Sequence, residues 1–230
     1  MPILYCQKEN MWPRPITYPH RTTEVGAQLE PYSCTSQAVG QMLYWLGLLK
    51  YGQTLNISRI CTPPYKSKKW GIGFEEITEK LKFIVPLSLV PQLPRQSFVF
   101  GIERVPTSLL SNLYTDDHLG PMMPQAIRKA IQLGWIKEEK GSIFFKGGHA
   151  LTASPYYNNH DKLIAVDLFD PYSGKISIKP PSQVCELLKP PFLTVDFNRL
   201  DQQFGSIDYF KIHLANKLET SNYQPSFFPS

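Results

Sequence analysis

Apolar positions recur at helical spacing from about Cys34 to Leu49. Ala38, Val39, Met42, Leu43, Trp45, Leu46 and Leu49 form one stripe, Ser33 can cap its start, and Gly52 with its polar neighbours ends the run. A second helical stretch covers roughly Phe74 to Phe83, with Ile77 and Leu81 inward. Pro124 can open a third, running to Leu133 and closed by Gly134. Beyond Gly134 the period changes from helical to extended. Ser142–Lys146, His149–Tyr156, Lys162–Phe169 and Lys175–Ile178 have strand-like apolar content, separated by turn residues at Asn158–Asp161 and Tyr172–Gly174. Gln183 to Leu188 fits a short helix and Ile207–Leu214 a closing strand. Pro13, Pro15 and Pro19 keep residues 1–30 irregular, and the stretch from Pro86 to Pro106 reads as extended or looped.

Helices first and an antiparallel sheet second define an α+β fold in two parts with a cleft between them. One domain over residues 1–218 is expected, with a helical lobe at about 1–134 and a sheet lobe at about 135–218. The polar tail, 219–230, is expected to fray. The chain has 230 residues, 42% hydrophobic and 19% charged, a balance that supports a packed core rather than disorder. Its net charge of +5 comes with no arginine cluster or basic stripe, which argues against a nucleic-acid groove. No window approaches the roughly 20 apolar residues of a membrane span. The opening Met-Pro-Ile-Leu-Tyr-Cys-Gln-Lys lacks the pattern of a secretory signal, so a cytoplasmic protein is the expectation, with signal-less export left open.

Four cysteines, Cys6, Cys34, Cys61 and Cys185, lie far apart with no Cys-x-x-Cys pair, so neither a zinc knuckle nor a dithiol redox motif is indicated. Cys34 stands where a loop meets the strongest helix. Free amide hydrogens and the helix dipole there favour the thiolate, the useful nucleophile. A buried, inert cysteine is the commoner fate of a lone thiol, so position alone does not decide its role. Its company is more telling. Gln28, six residues earlier, can present a carboxamide to a developing oxyanion together with the Cys34 backbone amide. His149, in Gly147-Gly148-His149-Ala150, starts an expected strand and can take the thiol proton, then protonate a leaving group. A third group must orient the imidazole. Asp167 and Asp170, at the end of the following strand, are both candidates, and being three apart on a strand they face opposite sides.

The set of Gln28, Cys34 opening its helix, Gly-Gly-His149-Ala and a strand ending in an acid resembles the papain-like cysteine peptidases, in the order Cys, His, Asp. The run Asp170-Pro171-Tyr172-Ser173-Gly174-Lys175 is similar to the bacterial leader-peptidase branch of that superfamily. The resemblance implies a papain-like two-lobed fold and a thiol-dependent peptidase acting on a peptide or protein substrate. It makes Cys34 the nucleophile, His149 the base and acid, Asp170 the orienting group and Gln28 the oxyanion donor. Phytochelatin synthases are a second likeness, through Gln28-Leu29-Glu30-Pro31-Tyr32-Ser33-Cys34. That branch implies transfer of a γ-glutamylcysteine acyl group and selects Asp167. A binding module on the same fold, with an idle cysteine, is the rival from another class. The matching blocks cover about residues 26–49 and 125–178; Thr35 departs from the tryptophan or glycine that often follows the cysteine, and residues 54–135 match no part of the pattern.

No metal or organic cofactor is expected, because His20, His118, His160 and His213 form no ligand-spaced cluster and read as surface or turn residues. Lys66-Ser67-Lys68-Lys69-Trp70 reads as a solvated loop. Gly71-Ile72-Gly73 lacks the lysine of a phosphate loop. Trp45 and Trp135 read as core aromatics.

Overall fold

A computed structural model describes residues 33–49, 73–87, 93–106, 132–134, 136–139, 142–184, 187–188 and 190–204. Its elements are α1 (Cys34–Trp45), α2 (Phe74–Lys80), β1 (Ile84–Leu87), β2 (Phe98–Pro106), β3 (Ile136–Glu139), β4 (Ser142–Tyr157), β5 (Leu163–Asp170), β6 (Lys175–Lys179), α3 (Pro181–Val184), β7 (Phe192–Val195) and α4 (Phe197–Phe204). The protein is α+β, with mixed helices and an antiparallel sheet.

The sheet runs β1-β7-β2-β4-β5-β6, and β3 pairs with β4 beside that path. It does not begin after Gly134: β1 and β2 precede that point, and β7 inserts between them. The prolines at 86 and 106 hid these strands in the sequence. Pro86 lies in an edge strand and Pro106 ends its strand, the two places where a missing N–H costs least.

Alternation along β2 divides the core between the two faces of the sheet. Val99 joins Ala38, Val39, Met42 and Leu43 of α1 with Ile77 and Leu193. Phe98, Phe100 and Ile102 join Leu151, Ala153, Val166, Leu168 and Phe192. In that layer Phe98 packs on Phe192, with ring centroids 4.8 Å apart.

Helix α1 stops at Trp45 rather than Leu49. Gly47, at φ +72°, takes the left-handed position past the cap, and its N–H bonds Tyr44 O at 2.9 Å while Leu48 N–H bonds Leu43 O at 2.9 Å. That pair of bonds closes a helix before Gly52 is reached. Every residue from Cys34 to Leu43 is buried, so the helix runs through the interior instead of presenting one face. Trp45 is only partly buried, contrary to its reading as a core aromatic. Ser33 occupies the cap position but makes no side-chain cap bond; its carbonyl accepts from Gln37 N–H and Ser36 Oγ instead. The second helix ends at Lys80, and the one near Gln183 spans Pro181–Val184. Strands β3 and β7 and helix α4 are additional to the elements expected. The expected helix from Pro124 and strand at Ile207–Leu214 lie outside the described residues, apart from 132–134. Among the described residues no helix is long and apolar enough to cross a membrane.

Candidate active site

Strand β4 carries the site. One of its edges pairs with β2; the other takes β3 at Ser142–Phe145 and β5 at Thr152–Tyr157. Between those two partners, among the described residues, lies a stretch of the second edge without a strand, and α1 begins beside it. Thr152 Oγ1 donates to Ala38 O at 2.7 Å, a buried bond that ties the helix to the strand.

His149 does not start a strand, as the two glycines before it suggested. It sits inside a continuous one, just after a bulge. The register passes from Ile102↔His149 to Arg104↔Phe144, so four residues of β4 oppose Glu103 alone. Gly148 takes φ +81°, which a side chain would strain, and a Cβ there would stand 3.6 Å from Ile102 O. A bulge bends its strand and re-aims the next side chain. Here that side chain is the imidazole.

His149 Nε2 lies 2.7 Å from Asp170 Oδ1. The carboxylate is held by its own turn: Oδ1 also accepts from Tyr172 N–H at 2.9 Å, the Asp170 carbonyl accepts from Gly174 N–H at 2.8 Å, and Ser173 Oγ donates to that same carbonyl. Asp167 faces elsewhere. It is fully buried, and Tyr156 Oη donates to its Oδ2 at 2.6 Å. Of the two candidate acids, then, Asp170 meets the imidazole.

The remaining ring nitrogen, Nδ1, is buried and makes no regular hydrogen bond, and the Cys34 thiol is the group coupled to that ring. Cys34 is a free cysteine, 7% exposed. Burial pushes its thiol up, but the hydrogen bond and charge of His149, the Ala150 N–H and the Thr35 hydroxyl outweigh burial and hold it below the ordinary value. Burial likewise pushes His149 down, and the Asp170 carboxylate together with Cys34 holds it up at about 9. Both shifts favour the thiolate–imidazolium form of the pair over the neutral one. His149 Nε2–H donates to Asp170, and the Nδ1 proton is left for the sulfur.

Sequence reasoning missed the aromatic wall of the site. Tyr172 stacks on the imidazole with centroids 4.0 Å apart and planes 10° from parallel, and Phe145 lies alongside, 5.1 Å from the imidazole. These rings keep water from the His149–Asp170 bond, which strengthens it. Burial, then the charges of Cys34 and Asp170, push the Tyr172 hydroxyl well above its usual value, so it stays protonated. The available signal was the turn Asp170-Pro171-Tyr172, which returns an aromatic to the face of the strand pair that ends there.

Gln28 lies outside the described residues, as do Cys6, Cys61, Cys185, His20, His118, His213, Trp135 and the Lys66–Trp70 loop. His160 sits in the β4–β5 hairpin turn, its N–H on Asn158 Oδ1 at 2.9 Å. Among the described residues no group of three or more histidine, cysteine or acidic side chains could hold a metal. No family model, curated protein or solved structure matches the chain.

Proposed function

We propose that the protein is a thiol-dependent peptidase of papain-like fold that cleaves a peptide or isopeptide bond through an acyl-enzyme on Cys34. One observation carries this reading: an imidazole fixed by Asp170 at 2.7 Å with its other nitrogen left to a buried, activated thiol at a helix start. The Cys34 sulfur attacks the substrate carbonyl carbon, forming a C–S bond and a tetrahedral oxyanion. The Cys34 backbone N–H has no intrahelical partner at the first helical position and is free to donate to that oxygen, with Gln28 as the second donor. As the C–N bond breaks, His149 gives its Nδ1 proton to the leaving amine. It then takes a proton from a water whose oxygen attacks the thioester carbon; the C–S bond breaks, the acyl group leaves as a carboxylic acid, and Cys34 thiolate and His149 imidazolium are restored.

The test is cleavage of a mixed peptide library by the purified chain and by Cys34→Ala. Loss of cleavage and of a trapped acyl-enzyme in the variant supports the reading; equal cleavage by both overturns it. The same assay with glutathione added distinguishes acyl transfer, since γ-glutamyl oligomers would place the protein with the transferases. The pairing of Asp170, not Asp167, with His149 favours hydrolysis.

A further inference from the structure

Among the described residues a few buried side-chain atoms make no hydrogen bond. They include His149 Nδ1 and Asp170 Oδ2, which belong to the machinery above, and Gln37 Oε1, which has no part in it. Gln37 is 6% exposed and stands three residues after Cys34 on α1. Residues three apart share a helix face, and helical side chains lean toward the N-terminus. The Gln37 carboxamide therefore lies over the turn that begins with the nucleophile. Its neighbour Ser36 on that turn is engaged, with Oγ donating to Ser33 O at 3.1 Å. A buried carbonyl oxygen with no donor is something folded proteins seldom carry, and where one occurs it calls for a reason.

We infer that Gln37 is a specificity residue whose Oε1 accepts a hydrogen bond from an N–H of the acyl group bound at Cys34. The site thereby selects acyl groups with an amide N–H close to the reacting carbonyl over isosteres that lack it. This inference rests on the acyl-enzyme reading above. A carboxamide oxygen only accepts, so an N–H donor completes it, whereas an ether or ester oxygen in the same place leaves two acceptors facing each other. A site built around a buried hydrogen bond rejects the analogue lacking its partner far more strongly than an apolar pocket rejects a missing methylene.

The experiment uses two 4-nitrophenyl esters that differ in one atom, that of N-acetylglycine and that of O-acetylglycolic acid. Acylation of Cys34 is followed by nitrophenolate release, each rate is divided by the rate of the same ester with N-acetylcysteine, and iodoacetamide alkylation reports the thiolate independently. The expected result is a corrected preference of about tenfold or more for the N–H ester in the wild-type protein. In Gln37→Met, of similar size and shape but without the acceptor, the preference falls to about one while iodoacetamide reacts as before. A corrected ratio near one in the wild-type protein overturns the inference without recourse to any variant, and so does a preference that survives in Gln37→Met. If neither ester acylates Cys34 while iodoacetamide still does, the acyl-enzyme reading itself fails.

Discussion

Asp167 and Asp170, three positions apart on β5, point to opposite faces of the sheet. Tyr156 Oη closes on the first at 2.6 Å and His149 Nε2 on the second at 2.7 Å. The same residue type on the same strand thus has a structural partner on one side and a reactive one on the other.

This division predicts opposite consequences for two identical substitutions. Asp170→Asn replaces the acceptor of the imidazolium proton and should lower peptide cleavage by roughly 100- to 10,000-fold, with little change in fold. Asp167→Asn perturbs the buried hydrogen bond from Tyr156 and should cost about 1–3 kcal/mol in urea unfolding while leaving the alkylation rate of Cys34 close to wild type. Equal loss of cleavage in both variants would contradict the assignment.

The charged pair predicts a two-limbed pH profile for alkylation of Cys34 by iodoacetamide. The rate should remain high below the ordinary thiol range, because His149 stabilises the thiolate. An upper inflection should appear near pH 9, where His149 loses its proton. Without the Asp170 carboxylate, burial dominates, and the inflection should fall toward the ordinary imidazole value of about 6.5 or below. The raised value also links to stability. Its contribution is fully present below about pH 6.5 and is lost as pH rises through about 9, so wild-type urea stability should decline across that window and Asp170→Asn should flatten the decline.

Tyr172 acts through His149 and is a positioning residue. Tyr172→Phe keeps the stacked ring and should retain wild-type alkylation kinetics. Tyr172→Leu keeps bulk but opens the imidazole face to water, and should lower the upper inflection and slow cleavage about tenfold. A purely structural tyrosine would shift the unfolding midpoint in Tyr172→Leu without moving the pH profile.

The main elements of the site were readable from residue types and spacing. A thiol at a helix start, a histidine beside two glycines and an acid closing the next strand each have a local signature, and the structure places Cys34, His149 and Asp170 together. The α+β class was readable for the same reason, since the strand-like apolar content of Lys162–Phe169 and Lys175–Ile178 coincides with β5 and β6. What escaped depends on partners distant in the chain. The merging of two expected strands into β4 needs the bulge opposite Glu103, and the strand character of Ile84–Leu87 needs β7, more than a hundred residues later. Helix α1 gave an amphipathic pattern because its sequence cannot announce that Ser36, Gln37 and Gln41 will be enclosed by the rest of the protein.

Gly148 shows how a backbone feature serves the imidazole. Gly148→Ala forces a side chain into φ +81° beside Ile102 O, and should cost about 1–2 kcal/mol in unfolding free energy. Because the strain falls next to His149, the alkylation rate of Cys34 should drop as well. Gly47→Ala, at φ +72° past the opposite end of α1 from Cys34, should cost a similar amount and leave the rate unchanged.

The bond from Thr152 to Ala38 spans 114 positions, and the one from His149 to Asp170 forms only once the β5 hairpin has closed. During synthesis, a chain released to residue 140 therefore carries an ordinary, sluggish thiol at Cys34, with neither its base nor the strand that anchors its helix. Heightened reactivity follows only after Asp170 has been made, with β6, β7 and α4 still to come. The speed of thiol labelling therefore gauges closure of the β4–β5 hairpin.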